Sequence, residues 1–232
     1  MKKNGISVIV PVFNEENTIA LVLKNLIKID EVNEIVVIDD NSADKTVNEI
    51  KKVISSKIIL IENSENLGKG ATVRQSFPHL LSEYSVIQDA DLELDPAYIK
   101  EYFKLATKND LDVVFGSRFK NFRIDGYPFS LSLANKIYTE LINYLTSSKY
   151  SDVNCGHKFF KTNELLKIDF KENHFGADPE ISYIVAHKKL AFSEYKINFT
   201  ARNKSQGKKI TWLDGLKFFK IIFNVHRRFK SF

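Results

Sequence analysis

Tyr84-Ser85-Val86-Ile87-Gln88-Asp89-Ala90-Asp91 is a short apolar run that ends on two acids separated by one small residue. An apolar run of this length reads as a buried strand, and the C-terminal end of such a strand is where open α/β sheets bind ligands. Two carboxylates in this spacing can both reach a divalent cation, whose charge neutralises a diphosphate. Standing alone, an Asp-x-Asp pair is more often a solvated turn than a site. Its neighbours reverse that reading.

Three further strands of the same kind precede it. Ile6 to Val12 is apolar and β-branched and runs into Phe13-Asn14-Glu15-Glu16-Asn17. Glu34 to Ile38 ends at Asp39-Asp40-Asn41-Ser42, and Lys57 to Ile61 precedes Glu62-Asn63. Between them the apolar positions take helical spacing, as in Ile19, Val22, Leu23, Leu26 and Ile27, with Asn17 and then Ser42 or Asp44 as starts. After Gly68-Lys69-Gly70 a helix is expected from about Ala71 to Leu81. Short apolar strands alternating with helices predict a mainly parallel sheet covered on both faces, an α/β fold. Their C-terminal ends then share one edge, which receives Phe13-Asn14-Glu15, Asp39-Asp40, Glu62-Asn63 and Asp89-Asp91. Packing does not require so many acids and amides there, so the edge reads as functional. Further on, Asp112 to Arg118 is a fifth strand, Leu131 to Leu145 a helix, and Asp152 to Phe160 carries another strand. Pro179 to His187 is a helix, Glu194 to Phe199 a late strand, and Trp212 to Phe229 a final helix. With no repeat or long linker, residues 1–232 form a single domain.

Composition bounds the function. The chain is 44% hydrophobic and 27% charged, as soluble globular proteins are. The net charge of +5 is concentrated at the end. From Arg202 to Phe232 nine basic residues face Asp214 alone. Phosphate ligands and anionic lipid account for such a segment; nucleic acid is disfavoured because no binding module surrounds it. One cysteine, Cys155, excludes an intrachain disulfide and a thiolate zinc cluster, and it reads as a packed small hydrophobe. No apolar stretch approaches the roughly 18 residues of a membrane span. A strand begins within a few residues of Met1, which leaves no room for a signal peptide. The expected location is the cytoplasm, peripheral at the inner face of a membrane.

Val8 to Glu16, Ile38 to Thr46, Asn66-Leu67-Gly68-Lys69-Gly70, Gln88 to Glu93 and Gly116-Ser117-Arg118-Phe119, in that order, resemble the family 2 inverting glycosyltransferases. Leu133 to Lys136, Ser151 to Lys158, Asp178-Pro179-Glu180-Ile181 and Gly207 to Gly215 extend the likeness to the dolichol-phosphate-mannose-synthase-like, polyprenyl-phosphate subgroup. The resemblance covers nearly the whole chain. It implies a GT-A fold, a nucleotide-sugar donor (GDP-mannose or a UDP-hexose), a divalent cation (Mg2+ or Mn2+), and a polyprenyl phosphate or a glycan hydroxyl as acceptor.

The resemblance also assigns roles. Residues matching Pro11, Phe13, Glu15, Asp39 and Asp40 surround the base and ribose, where carboxylates accept N–H and hydroxyl groups and an aromatic packs. Asp91 is the first choice as metal ligand. Asp89 joins it or, with Ala90, meets the nucleotide end of the donor. Glu93 stands where the subgroup often has Gln and is a third carboxylate for the same ion. Lys69 lies in a tight turn beside the donor, which lacks the pattern of a Walker loop. Arg118, after a Gly-Ser step, suits a bidentate phosphate clamp. Arg202 and Lys208 match positions near the donor diphosphate and the acceptor phosphate, with Arg123 and Lys136 as further basic candidates. Asp152 is the candidate base or acceptor-orienting group. Its segment departs from the family's usual Asp-Met-Glu-Thr-Cys-Tyr-Lys at Asn154 and at Gly156-His157. His157 and His174 lack metal-ligand spacing and read as structural.

The final helix, basic and amphipathic, either docks on the sheet or lies in a membrane interface. A membrane-protein partner or a homo-oligomer is the remaining partner class. Two other functions compete with an enzyme. A phosphoacceptor receiver module is disfavoured, because Asp39-Asp40 ends the second strand rather than the first. A non-catalytic nucleotide-sugar-binding scaffold is disfavoured by the presence of Asp89, Asp91 and Arg118 together.

Overall fold

The computed structural model describes residues 2–120, 123–201 and 212–230. Four strands open the fold: β1 (Lys3–Val12), β2 (Val32–Asp39), β3 (Ile58–Glu62) and β4 (Ser82–Ile87). They alternate with α1 (Ile19–Ile27), α2 (Thr46–Lys51) and α3 (Lys69–Gln75). Then come α4 (Tyr98–Asn109), β5 (Val113–Ser117), and a hairpin of β6 (Phe119–Lys120) with β7 (Arg123–Ile124). The second half holds α5 (Phe129–Thr146), β8 (Lys158–Lys161), α6 (Thr162–Leu165), α7 (Ala177–His187), β9 (Phe192–Lys196) and α8 (Trp212–Lys230).

Seven strands form one sheet in the order β3-β2-β1-β4-β8-β5-β9. All neighbours are parallel except β8, which runs antiparallel to both β4 and β5. The chain moves outward from β1 through β2 to β3, then returns to the other side of β1 at β4. The switch point therefore lies between β1 and β4, and a crevice opens past their C-terminal ends.

Alternation along the strands sorts side chains into two apolar layers. Ile6, Val8, Val10, Ile35 and Val37 pack with Leu23, Leu26, Ile99 and Tyr102 on one face. Ile9, Val36, Ile38, Phe115 and Phe160 pack with Tyr138, Ile142, Ile181, Ile184, Ile222 and Val225 on the other. The final helix is thus docked: Ile222 and Val225 are buried, Phe219 packs 4.7 Å from the Tyr138 ring, and Arg228 Nη2 donates to Glu180 Oε1 at 2.8 Å. No helix among the described residues is long and apolar enough to cross a membrane.

Three expected elements differ. The helix expected to reach Leu81 ends at Gln75, and Pro78, which has no N–H to donate, sits in a short 3-10 turn at Phe77–His79. The strand expected from Asp152 is confined to Lys158–Lys161. Residues 152–157 instead cross the strand ends, which carries Asn154 and Gly156 to the crevice. The late strand is Phe192–Lys196, two residues earlier than the apolar alternation placed it.

Candidate active site

A cavity of about 420 Å³ occupies the crevice. Its wall at the β1 end carries Pro11, Phe13 and Glu15. Asn14 adopts a left-handed conformation (φ 51°), and the turn is laced to the one after β2: Asn14 N donates to Ser42 Oγ and Ala43 N to Asn14 Oδ1. Asp40 lines the cavity, but its carboxylate is committed to the protein. It accepts from Leu67 N (2.9 Å), Asn63 Nδ2 (3.0 Å) and Gly68 N (2.7 Å), and so fixes the loop ahead of α3. Asp39 is buried beside it. Ser42 N donates to Asp39 Oδ2 at 2.9 Å, while Oδ1 is buried with no hydrogen-bond partner, an acceptor in want of an N–H or O–H.

Lys69, the first residue of α3, is the hub of the neighbouring charges. Its ammonium lies 2.7 Å from Asp89 Oδ1 and 3.1 Å from Asp178 Oδ2. Burial opposes a charge on Asp89, but the Lys69 ammonium outweighs it and holds the carboxyl below its usual range. Burial works against Lys69 as well, and its two carboxylate partners more than reverse that, so it stays protonated. Asp91 and Glu93 also line the cavity, with Glu93 N donating to Asp91 Oδ1 at 3.1 Å. The structure does not gather Asp89, Asp91 and Glu93 into a ready-made metal cluster: no group of three such ligands occurs among the described residues. One oxygen of Asp89 is instead paired with Lys69. Gly156 makes room for this arrangement, since a Cβ there would overlap Asp89 Oδ2 and stand 3.1 Å from Lys69 Nζ.

Arg118 lines the cavity at the end of β5 and is gripped from behind. Its Nε donates to Asp152 Oδ2 at 2.7 Å and its Nη2 to Asp152 Oδ1 at 3.0 Å, while the Phe199 ring covers the guanidinium at 5.2 Å. Asp152 is fully buried and does not reach the cavity wall. Burial opposes its charge, yet Arg118 keeps its carboxyl below the usual range. It also accepts from Asn135 Nδ2 (2.9 Å) and from the backbone of Arg118 and Asn154. The expectation of a base at Asp152 gives way to a different placement: both oxygens are spent on holding Arg118. Arg123 stacks on Phe129 and Lys136 pairs with Glu140 at 2.7 Å, and neither lines the cavity. Arg202 and Lys208 lie outside the described residues.

Behind the Asp89–Glu93 turn runs a buried hydrogen-bond chain. Gln88 Nε2 donates to the carbonyls of Asp89 (3.1 Å) and Leu94 (3.0 Å), closing the turn. Its Oε1 must then accept from His157 Nε2 at 2.6 Å, which leaves His157 Nδ1 to accept from Tyr102 OH at 3.0 Å. Burial pushes the imidazole down to about 4, so it is neutral, and His157 is structural as expected. Cys155 is buried and its thiol is pushed up to about 12 by that burial, which makes it inert. His174, by contrast, lines the cavity beside Gly68.

Among the wall residues that were not legible as site residues are Asp178, Asn154, Gly156 and Tyr127, together with His174. Asp178 sits in the first turn of α7, where an acid is explained well enough by the helix dipole. Taken together, the described wall carries six carboxylates (Glu15, Asp40, Asp89, Asp91, Glu93 and Asp178) against two cations, Lys69 and Arg118.

Comparison with known proteins places this geometry. The profile of "Glycosyl transferase family 2" matches residues 7–166, from β1 through α6. An uncharacterized protein of Methanocaldococcus jannaschii is 30% identical over 72% of this chain and 76% of its own length. The dolichyl-phosphate beta-glucosyltransferase of Trichomonas vaginalis is 29% identical over 88% of this chain and 68% of its own, and that of Dictyostelium discoideum 29% over 84% and 66%. Glucosyl-3-phosphoglycerate synthase of Mycobacterium tuberculosis, solved with Mn2+, UDP and glucosyl-3-phosphoglycerate, superposes with a TM-score of 0.74 at 16% identity, over 96% of this chain and 80% of that one. That superposition gives the GT-A fold. The matched segment holds the strand ends that build the crevice together with Asp89, Asp91, Arg118 and Asp152, and the chain belongs to glycosyl transferase family 2.

Proposed function

We propose that this glycosyltransferase moves a hexose, glucose in the first instance, from its uridine diphosphate to a polyprenyl phosphate, with inversion at the sugar carbon. The two dolichyl-phosphate beta-glucosyltransferases among its relatives support that acceptor and that sugar. Neighbours of the same fold hold UDP with Mn2+ or Mg2+.

The observation that carries the reading is the excess of carboxylates over cations among the described residues of the cavity wall. A nucleoside diphosphate is itself anionic, so it enters this wall favourably only with added positive charge. Asp91 and Asp89 offer hard oxygen ligands on one side, which suits a cation that keeps several waters and takes its remaining ligands from the diphosphate. Bound there, Mg2+ or Mn2+ would act as a Lewis acid that stabilises the departing diphosphate. The protein's own groups do the rest. Phe13 packs the base and the cavity-lining Glu15 accepts N–H and hydroxyl groups of the nucleoside, while Asp39, which does not line the cavity, keeps its unpartnered Oδ1 in reserve at the end of β2. Arg118, pre-aligned by Asp152, faces the diphosphate without needing to reorganise. An acceptor phosphate is already ionised near pH 7, so its oxygen attacks the sugar carbon without a general base. Orientation supplies the acceleration. Asp152 acts through Arg118 as a positioning residue.

A lipid acceptor brings the enzyme to a membrane surface. Phe129, Leu133, Ile137 and Tyr144 form an exposed apolar face on α5, which begins two residues after the cavity-lining Tyr127, and Phe223 is exposed on α8 beside Lys220 and Arg227. Co-sedimentation with phosphatidylglycerol vesicles should fall when Phe129, Leu133 and Ile137 become serine.

The decisive assay is sugar transfer from UDP-glucose to a polyprenyl phosphate in Mn2+ buffer. Asp91→Ala should lower turnover by about a thousandfold with the circular dichroism spectrum unchanged. Activity on an oligosaccharide hydroxyl but none on phosphorylated lipid would transfer the proposal to a glycan acceptor.

A further inference from the structure

The polar groups behind Arg118 form a chain whose direction is fixed from one end. Asp152 only accepts, and it takes Arg118 on both oxygens, so Asn135 must turn its NH2 group to Asp152 Oδ1. The Asn135 carbonyl then faces Asn154 and accepts from Asn154 Nδ2 at 2.7 Å. With its NH2 group oriented by Asn135 and its backbone N–H on Asp152 at 3.3 Å, the side-chain acceptor of Asn154, Oδ1, is turned away from both partners. That oxygen is buried without a partner, on a residue of the cavity wall. A buried acceptor with no donor is costly, and a protein keeps one where a ligand supplies the proton.

We propose that Asn154 recognises the donor sugar, its side-chain oxygen accepting a hydrogen bond from a hydroxyl of the hexose. This rests on the nucleotide-sugar reading above. Three features of the wall select a sugar hydroxyl. Diphosphate oxygens carry no protons near pH 7 and cannot satisfy an acceptor. The nucleoside has its own acceptor in the cavity-lining Glu15, with the unpartnered Oδ1 of Asp39 buried at the end of β2. Asn154 lies two residues from Asp152, which holds Arg118, and two from Gly156, which packs on Asp89, so it flanks the groups assigned above to the diphosphate and its cation. An amide suits this place, because a wall already rich in carboxylates gains no further negative charge.

The test compares UDP with UDP-glucose, both in Mn2+, by isothermal titration on the wild type, Asn154→Ala and Asn154→Ser. Both substitutions should weaken UDP-glucose about tenfold and leave UDP unchanged. A panel of UDP-glucose analogues lacking one hydroxyl each provides an arm that needs no variant. One analogue should bind the wild type about tenfold more weakly than UDP-glucose, and should bind the variants as it binds the wild type. Equal loss for UDP and UDP-glucose would make Asn154 a nucleotide or metal contact and overturn the proposal. A raised KM for the acceptor with donor affinity intact overturns it too. Wild-type protein that binds neither UDP nor UDP-glucose brings down the nucleotide-sugar reading, and this inference with it.

Discussion

Arg118 and Asp152 meet as a planar, two-pronged pair, Nε to Oδ2 at 2.7 Å and Nη2 to Oδ1 at 3.0 Å, with the aspartate fully buried. The geometry is that of a clamp held ready rather than of a base waiting for a proton. Removing one partner of a buried pair leaves the other charge uncompensated. Asp152→Asn should therefore cost about 3–5 kcal/mol in urea denaturation. Turnover should fall with it, because the guanidinium loses its fixed position, but the pH–rate profile should keep its shape. A limb of that profile that disappears in Asp152→Asn would restore the aspartate as a base.

Lys69 keeps two carboxylates, Asp89 and Asp178, from repelling each other. Lys69→Ala leaves both acids facing one another across the space the ammonium filled. The variant should melt lower than the wild type in chelator. A divalent cation can then take over the neutralisation, so Mn2+ should raise the melting temperature of Lys69→Ala more than that of the wild type, since binding to the folded form alone stabilises it. Equal shifts in the two proteins would mean that Lys69 does not compete for Asp89.

The parallel half of the sheet was legible because β-branched runs such as Ile6–Val12 and Glu34–Ile38 have no competing reading, and their acidic ends announced the crevice. The helix α4 was not read from the sequence: Ala97 gives it no side-chain cap, and it ends on Asp110 in a left-handed conformation rather than on glycine. The site was legible in type and incomplete in detail. Asp89, Asp91 and Arg118 do reach one cavity, as their strand ends required. That Lys69 would claim Asp89, and that Asp152 would turn inward to Arg118, depends on contacts 20 and 34 residues apart in sequence, which spacing does not encode. Asn154 and Gly156 were hidden for a related reason. Apolar neighbours suggested a strand through them, where the chain instead crosses the strand ends.

His157 ties stability to pH. Its ring is neutral and buried between Tyr102 and Gln88, with its proton affinity pushed down to about 4 from the usual 6.5. The unfolded chain takes up a proton as pH falls through 6.5, and the folded one resists until about 4. Stability is therefore full above pH 6.5 and declines towards pH 4, by about 3 kcal/mol for this group. Urea titrations of the wild type and His157→Phe at pH 7.5 and 4.5 isolate the contribution: the variant should be less stable at the higher pH, and its loss on acidification should be smaller. Equal acid loss in the two proteins would assign the pH dependence to the carboxylates instead.

Gly156 offers the sharpest separation of site geometry from folding. Its backbone does not take a positive φ, so alanine is not excluded by conformation. The obstacle is the Asp89 carboxylate, whose Oδ2 occupies the place of a Cβ, with Lys69 Nζ only 3.1 Å from it. Both are ends of side chains and can give way without moving the sheet. Gly156→Ala should therefore fold, with a modest loss of melting temperature, while Asp89 is pushed off its present position beside Asp91. Because a displacement of about 1 Å at a reacting centre costs about a hundredfold, turnover should fall on that order. The half-saturating Mn2+ concentration should rise at the same time. A variant with unchanged turnover and Mn2+ dependence would show that the position of Asp89 is immaterial to the reaction, and would leave Asp91 to hold the cation alone.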